Sequence, residues 1–347
     1  MLKYFYIKSI FSKTVFFTAI SVYFAAIVCA YANKFTFQQD DGLINDGWVR
    51  LVQPSLPVGT QIDSLSLIDS GDALYVNTQS VGSFLCQGDS CNQLKHNLPQ
   101  FNNSSHINFI AMTQKSIFSK LIKELPNDVR IFSAQIISDA KKILVGTRSH
   151  SAYLYDQGHW QHLSASTQSP SLPKNSWIYT LSSSKNGDKI LIGTMNHGAY
   201  LWQNNHWQHL TIPTKQPLTK QSWIYASNIS KDGSTMVIAT HNNGVFLYQN
   251  KQWKHLNNPD QSGLLANTLV NSIAMSDDGK TILLGSLFGA YLYQQGRWSH
   301  VHKPHHNLNL KTITATYVSP NGKTMLIGTQ LGMIYIRQLG LFEKQIN

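Results

Sequence analysis

Four histidines recur at one position of a repeated pattern and are the first candidates for chemistry. Each lies two residues after a tryptophan: His162 after Trp160, His209 after Trp207, His255 after Trp253 and His300 after Trp298. Imidazoles that converged could bind zinc, which needs ligand distances of about 2 Å. Their regular spacing instead puts them on successive structural units, spread around a rim. We therefore predict structural histidines that pack beside the tryptophans, with no metal and no cofactor.

Asp63 is the acidic residue that a turn does not explain. Asp188, Asp232, Asp277 and Asp278 fall at predicted turns, whereas Asp63 falls on a predicted innermost strand. Its equivalents in the other units are Phe132, Tyr179, Tyr225, Asn271 and Thr314. None is a second carboxylate, which paired acid-base catalysis would require. The chain also lacks a nucleophile elbow, a phosphate-binding loop and an H-E-x-x-H helix. We expect a protein without enzymatic activity; the alternative is a carbohydrate-active lyase or hydrolase that uses a channel mouth near Asp63.

The elements that would position these residues form a repeat of about 46 residues. Residues 190–210 read ILIGTMNHGAYLWQNNHWQHL, and related segments cover residues 143–163, 236–256, 282–301 and 325–337, with a degenerate copy at 74–94. Before each copy lies a further apolar run, such as WIYTLS at 177–182. Asn-Gly and Asp-Gly pairs join several of these runs to the copies and supply the positive φ that tight hairpins need. The sequence therefore predicts six units, each with four short strands.

One such unit is a four-stranded antiparallel sheet, which cannot cover both of its apolar faces alone. Units with a period in the forties usually stack into a closed ring of blades. The sequence therefore predicts an all-β fold, a six-bladed β-propeller of four-stranded antiparallel blades over residues 48–337. Residues 48–51 match a fourth strand, and the last unit lacks one after Arg337. We predict that the N-terminal strand closes the ring, because an open ring would expose unpaired edges. Residues 33–47 form a lead-in and residues 338–347 a tail.

The first 32 residues have the layout of a secretory signal peptide. Lys3, Lys8 and Lys13 precede an apolar run over residues 15–30, and Ala30-Tyr31-Ala32 is an A-x-A step. We predict cleavage after Ala32 and a periplasmic or secreted protein. The alternative is an uncleaved anchor helix, since the segment is long enough to cross a bilayer. In that case, this segment would be the only part of the protein in contact with the membrane.

The basic charge is dilute. Removing the three lysines of the signal segment from the 28 basic residues leaves 25 against 17 acidic ones. No Lys/Arg cluster or stripe is visible, so the sequence gives no support for nucleic-acid binding. We expect a monomer.

An insertion interrupts the repeat between the first two units. Thr78 and Thr147 are 69 residues apart, and the surplus lies at about 100–128. Apolar residues at helical spacing predict an amphipathic helix over residues 115–125. This helix is either a lid or docking element, as long inserts often are, or a cover for a blade edge.

Binding residues are expected on one face of the ring. In propellers the connections before the first strand and the turns between the second and third strands emerge together around the channel mouth. The predicted face holds aromatic, imidazole, amide and guanidinium groups: Trp177, Trp223, Arg130, Arg148, His150, Asn196, His197, His241, Asn242 and Asn243. Such a surface suits a sugar, a peptide or a protein loop. Alternatively, both tryptophans pack between blades.

Cys86 and Cys91 replace both aromatic residues of one hairpin. In the register of the repeat they occupy the positions of Trp202 and Trp207. Opposed residues in an antiparallel pair bring their Cα atoms to about 4.5–5.5 Å, within the span of a disulfide. In an oxidising compartment we predict a Cys86–Cys91 bond; two buried free thiols are the alternative.

The repeat resembles a known family at the level of architecture. The unit GTMNHGAYLWQNNHWQHL at residues 193–210 is similar to the two-component regulator propeller repeat. The turns at 276–280 and 319–323 resemble those of WD-repeat and YVTN-type propellers. The resemblance implies an extracytoplasmic ligand sensor, although no downstream signalling part is present to match. We therefore expect a stand-alone propeller that binds a protein, peptide or glycan in the cell envelope or outside the cell.

Overall fold

The computed structural model describes residues 37–38, 48–51, 56, 60–68, 73–79, 81–87, 90–94, 106–107, 125, 131–137, 142–165, 171–204, 206–213, 217–256, 268–301 and 312–338. The predicted signal segment lies outside these ranges. So does the predicted insertion helix, except for Leu125, which is a buried residue in a bend.

The prediction of a six-bladed propeller is confirmed. Each blade has strands a to d from the inside outwards, and in blades 1 to 5 these four strands follow one another in the sequence. Blade 1 has Ile62–Ile68, Ala73–Thr78, Gly82–Gln87 and Ser90–Gln93; blade 2 has Ile131–Ile137, Lys142–Thr147, Ala152–Asp156 and His159–His162; blade 3 has Ile178–Ser183, Ile190–Thr194, Ala199–Gln203 and His206–Leu210; blade 4 has Ile224–Ile229, Met236–Thr240, Val245–Gln249 and Gln252–Leu256; blade 5 has Val270–Met275, Ile282–Ser286, Gly289–Gln294 and Arg297–Val301; blade 6 has Ile313–Val318, Thr324–Thr329 and Ile334–Gln338 as strands a to c. A 3-10 helix, Leu163–Ala165, follows blade 2.

The N-terminal strand closes the ring, as predicted. Trp48–Leu51 pairs antiparallel with Ile334–Gln338 and becomes strand d of blade 6, with Trp48 opposite Arg337. Trp48 is only 1% exposed and packs in the core between blades 5 and 6. A fifth strand, Phe37–Gln38, pairs with its outer edge. Part of the lead-in therefore extends the closing blade.

A second short strand extends blade 2 on the opposite, inner side. His106–Ile107 comes from the insertion and pairs in parallel with Ser133 and Ala134 of strand a. The repeat pattern predicts antiparallel pairing within the blades and does not predict this parallel strand. It brings backbone of the insertion to the channel side of the ring.

Glycines of strand b allow the blades to pack closely. A Cβ atom built on Gly285 would lie 2.6 Å from Ile313 Cγ2 of the next blade, and one on Gly328 would lie 2.8 Å from Ile62 Cγ2. Gly146 and Gly193 meet an isoleucine in the same way. In blade 4 this position is Ala239, and the first residue of the next strand a is Val270. In this pair the residue on strand b is larger, alanine in place of glycine, and the facing residue on strand a is smaller, valine in place of isoleucine.

Within the described ranges, no helix combines the length and apolar character needed to span a bilayer.

Candidate functional site

A β-bulge at the same place in all six blades shapes the channel mouth. In blade 3, Ile178 pairs with Thr194 and Thr180 with Gly193, so Tyr179 has no partner of its own in strand b. The other blades repeat this irregularity. The bulged residues are Asp63, Phe132, Tyr179, Tyr225, Asn271 and Thr314. This is the ring position to which the sequence register assigned Asp63, and bulges often re-aim side chains beside functional sites.

Half of this ring is aromatic. Phe132 lies 6.1 Å from Trp177 and 5.9 Å from Tyr179, Tyr179 lies 5.3 Å from Tyr225, and Tyr225 lies 6.0 Å from Trp223, measured between ring centroids. These separations are typical of favourable aromatic pairs. We call these five residues the aromatic arc. All of them except Phe132 keep part of their surface exposed, so the arc presents an aromatic surface on blades 3 and 4, supported by Phe132 of blade 2.

Charged and imidazole groups continue the arc outwards. The guanidinium carbon of Arg148 lies 4.3 Å from the centroid of Trp177, within the range of a cation–π contact. His241 lies 5.1 Å from Trp223 and 5.4 Å from Tyr225. Trp177 therefore contacts side chains of blade 2 and also remains partly exposed, so it combines the two roles that the sequence left open.

Backbone hydrogen bonds hold the turns between strands b and c against the start of strand a. The amide of Met195 donates to the carbonyl of Trp177 at 3.1 Å, and the amide of His241 donates to the carbonyl of Trp223 at 2.9 Å. The Ser176 hydroxyl also lies 3.0 Å from Nδ1 of His197. The turns are thus tied to the strands that carry both tryptophans.

The recurrent histidines support the same turns. In His162, the ring atom Nε2 lies 2.7 Å from the backbone carbonyl oxygen of His150. The same contact joins His209 to the carbonyl oxygen of His197 at 3.0 Å. It also joins His255 to that of Asn243 at 2.6 Å. Their rings lie 4.6 Å from Tyr153, Tyr200 and Phe246 of strand c. The tryptophans instead contact the strand-c aromatics two residues further along. The sequence placed these histidines on a rim, and the structure connects them to the candidate face.

Asp63 lies on the other half of the ring. Its carboxylate accepts a hydrogen bond from Gln61 Nε2 at 3.3 Å. Burial raises the pKa of Asp63 from 3.8 to about 6, and the bond from Gln61 opposes this only in part. On the same half of the ring, two blades from Asp63, Asn271 donates from Nδ2 to the carbonyl of Ile313. The mouth therefore has an aromatic side and a polar side.

Below the ring lies a cavity of about 120 Å³. Strand-a residues of all six blades line it: Asp63, Ser64, Leu65, Gln135, Thr180, Leu181, Ser182, Ala226, Ser227, Asn228, Ser272, Ile273 and Thr316. Some hydroxyls bond between blades: Thr180 Oγ1 lies 3.1 Å from Ser227 Oγ, and Ser272 Oγ lies 2.9 Å from Thr316 Oγ1. Others have no hydrogen-bond partner, namely Ser64 Oγ and Ser182 Oγ, and neither has Gln135 Oε1.

Sequence reasoning missed an apolar part of the same face. Leu287 and Phe288 in the b–c turn of blade 5 are 38% and 63% exposed, and Leu331 in that of blade 6 is 53% exposed. The repeat pattern would have located these turns, because equivalent turns of blades 2 to 4 carry the predicted residues. Among the residues predicted for this face, Asn196 and Asn242 are exposed. Arg130, predicted at the start of a strand a, lies outside the described residues.

The cysteine pair lies away from this face, on the outer c–d hairpin of blade 1. Cys86 and Cys91 are directly opposed in the antiparallel pair and are joined by a disulfide, with Cα atoms 4.1 Å apart. Cys86 is fully buried in the cluster that also contains Leu74 and Phe84. The bond occupies the place of the ring pair found in blades 2 to 5.

Across the described ranges, no three His, Cys, Asp or Glu side chains come together to hold a metal ion.

Comparison with known proteins adds little beyond the propeller itself. No protein-family model and no curated protein matches the chain. Two solved structures of the extracellular domain of BT4673 from B. thetaiotaomicron match it, one described under a one component system and the other under a hybrid two component system. Each is 17% identical over 87% of this chain and 38% of that chain, with a TM-score of 0.47. The chain thus spans well under half of those domains, and a likeness this distant does not bear on its ligand.

Proposed function

We propose that this chain is an exported propeller without enzymatic activity that binds a protein, peptide or glycan at the channel mouth. The observation that supports this most is the aromatic arc, whose members contact one another across three blades and, except for Phe132, remain partly exposed. Rigid aromatic side chains give large contact areas at small entropic cost, and they dominate binding energy where they occur at interfaces. The export part of the proposal rests on the signal-like segment of the sequence.

The surroundings of the arc favour a protein or peptide over a glycan. Leu287, Phe288 and Leu331 expose apolar side chains on the same face. A sugar would gain little from the aliphatic side chains of Leu287 and Leu331, which have no ring to stack on. A protein loop could cover both the arc and these residues, and exposed apolar groups rimmed by polar ones commonly mark protein interfaces.

The test is quantitative capture from envelope extract, with a glycan array in parallel. Trp177→Ala combined with Trp223→Ala should weaken binding of any captured partner by more than about 30-fold, since one central aromatic alone contributes about 2 kcal/mol or more. Trp253→Ala combined with Trp298→Ala is the matched control, because these partly buried tryptophans lie on outer strands. Equal losses in both pairs would contradict a site at the mouth.

Asp63 supports a second candidate, a hydrolase or lyase. A carboxyl group with a pKa near 6 is suited to general acid-base catalysis near neutral pH. The described residues that line the cavity include no second carboxylate, so the usual pair is missing there. Turnover of a polysaccharide that is lost in Asp63→Asn, with the fold retained, would favour the enzyme over the binding protein.

A further inference from the structure

Charged side chains are unevenly divided between the two faces of the ring. The a–b and c–d turns lie on the face opposite the mouth, whereas the b–c turns and the connections before strand a lie at the mouth. Apart from Asp63, the described carboxylates lie in or beside turns of the opposite face: Asp156, Asp188, Asp232, Asp277 and Asp278. The ion pairs Lys142–Asp156 and Lys280–Asp278 lie on that face as well. In the described part of the chain, Asp63 is thus the one acidic side chain at the mouth.

Basic side chains that are far apart in the sequence come together at the mouth. Arg148 lies in the b–c turn of blade 2, and Lys174 and Lys220 precede strand a of blades 3 and 4. Both lysines are exposed, and Arg148 is half-buried. Within the described ranges, none of the three pairs with a carboxylate, since the ion pairs found there involve other lysines. Blades 2 to 4 also carry the aromatic arc, so a positively charged surface lies beside it.

Arg148 is held against the arc in a way that suits an anion. Its guanidinium carbon lies 4.3 Å from the centroid of Trp177, and no hydrogen bond joins its N–H groups to another described residue. The contact with Trp177 uses the charge of the group and none of its donors. Guanidinium offers five N–H donors in a planar fork that binds a carboxylate at two points. A carboxylate bound by this fork would lie beside the exposed aromatic surface.

Lys220 adds positive charge to the b–c turn of blade 3. A Cβ atom built on Gly198 of this turn would lie 2.6 Å from the carbonyl oxygen of Thr219 and 3.4 Å from Cα of Lys220, so the turn packs directly against the connection. Burial lowers the pKa of His209 beneath the turn, the hydrogen bond to the carbonyl of His197 raises it, and the charges of Lys220 and His197 lower it further. The mouth is therefore electropositive at blade 3 as well as at Arg148.

The apolar part of the face indicates which kind of anion fits. A nucleic acid or a polyanionic glycan carries charge along its whole length and would need cations on all sides of the mouth. The b–c turns of blades 5 and 6 carry none and instead expose Leu287, Phe288 and Leu331. A protein segment can place acidic side chains over blades 2 to 4 and apolar ones over blades 5 and 6. Ionised Asp63, on the half of the ring away from the arc, would repel a carboxylate there and so favour this orientation.

We propose that the mouth binds an acidic segment of a partner protein, with one carboxylate paired to Arg148 beside Trp177 and apolar side chains on Leu287, Phe288 and Leu331. This assignment rests on the proposed binding function at the mouth. The guanidinium–carboxylate pair fixes the orientation of the segment, and the aromatic and apolar side chains supply contact area.

Peptides selected from a random displayed library on the immobilised protein provide the probe. We expect the selected sequences to share an aspartate or glutamate together with apolar residues. In a selected peptide, replacing that acidic residue by its amide should weaken binding about 10- to 100-fold, because the charge-assisted bidentate bond is lost. Since the change is made on the peptide, this result does not depend on the folding of any variant.

Protein variants locate the contact. Arg148→Gln should lose most of the difference in affinity between the acidic peptide and its amide. Arg148→Lys should restore only part of that difference, because an ammonium lacks the planar fork. Lys323→Gln is the matched control, since it removes one exposed positive charge from an a–b turn on the opposite face, and it should keep the full difference.

Three results would overturn the proposal in different ways. Selected peptides that bind through Trp177 and Trp223 but tolerate the loss of every acidic residue would overturn the acidic assignment alone. Selected peptides indifferent to the tryptophan variants would overturn the binding site at the mouth as well. A selection that yields no peptide would count against a protein partner, and binding of acidic oligosaccharides that is lost in Arg148→Gln would then assign the site to a glycan.

Discussion

His255 lies with Nε2 2.6 Å from the carbonyl oxygen of Asn243, while its ring stacks on Phe246 at 4.6 Å and 13°. A carbonyl oxygen can only accept, so Nε2 carries the proton. One side chain thus joins the outermost strand of blade 4 to the turn that borders the candidate face, and the same arrangement recurs in blades 2 and 3.

His255→Phe should keep the ring contact and lose the hydrogen bond, destabilising the protein by about 1 kcal/mol at pH 8. Burial holds the pKa of His255 below its ordinary 6.5. The folded state therefore binds its proton less readily than the unfolded chain, and wild-type stability falls as pH drops below about 6.5. Below that pH, the difference in unfolding free energy between the wild type and His255→Phe should become smaller. Urea denaturation at pH 8 and pH 5 measures this; a pH-independent deficit would contradict it.

Asp63 should have the opposite pH dependence. Because burial raises its pKa from 3.8 to about 6, the folded state favours the protonated acid, and this contribution is lost as pH rises from about 4 through 6. Asp63→Asn should melt higher than wild type at pH 8, with the gap closing towards pH 4. Asp188→Asn controls for the loss of a charge. A gap that stays constant between these pH values would show that Asp63 is not desolvated.

Gly285→Ala should destabilise the protein, because the new Cβ would meet Ile313 of the next blade at 2.6 Å. Overpacking of this kind costs about 1–3 kcal/mol. Adding Ile313→Ala removes the Cγ2 methyl that the new Cβ would meet, so the double variant should be less destabilised than the sum of the two single variants. Thermal melting of the two single variants and the double variant gives the coupling between them. Simple additivity would mean that the blades do not touch through these side chains.

Removal of residues 33–51 takes away strand d of blade 6 and leaves the edge of Ile334–Gln338 unpaired. We expect a loss of several kcal/mol on a total stability of about 5–15 kcal/mol, and aggregation through the exposed edge. Removal of residues 33–36 alone should have little effect. The readout is size-exclusion chromatography with thermal melting, and a soluble monomer with unchanged melting temperature would contradict closure by this strand.

The Cys86–Cys91 bond should survive in protein purified from the envelope without reductant. The loop it closes is very short, so the entropic gain should stay below the roughly 3 kcal/mol expected for a 15-residue loop. Mass spectrometry after alkylation under non-reducing conditions counts the free thiols. Two alkylated cysteines would count against both the bond and the proposed export.

Features that follow from short-range sequence patterns, such as strands and turns, can be predicted from the sequence. Features that depend on contacts between distant residues cannot. Hairpin turns such as Asn186-Gly187 and the repeated Gly-Thr steps define the blades, and the missing fourth strand after Arg337 identifies the closing partner. The register also places Asp63 correctly on strand a. The bond from His255 to Asn243 depends instead on the exact shape of a turn 12 residues away.

Other features involve residues from several blades, which a repeat pattern compares but does not place in contact. The unpartnered Gln135 is polar at a position where the equivalents Ser182 and Asn228 are polar too, so nothing in the sequence distinguishes it. The parallel strand His106–Ile107 has two residues, too few for any periodicity.

The pairing of Trp48–Leu51 with Ile334–Gln338 also sets an order of events during synthesis. Strand d of blade 6 leaves the ribosome first among the blade strands, and its neighbour, strand c, leaves last. Blades 1 to 5 are made of strands close in sequence and can form as they emerge, whereas blade 6 must wait for a contact across almost the whole chain, which is a slow step in folding. Until residue 338 has been made, the buried face of Trp48 has no permanent partner, and a ribosome that stops early releases an open ring.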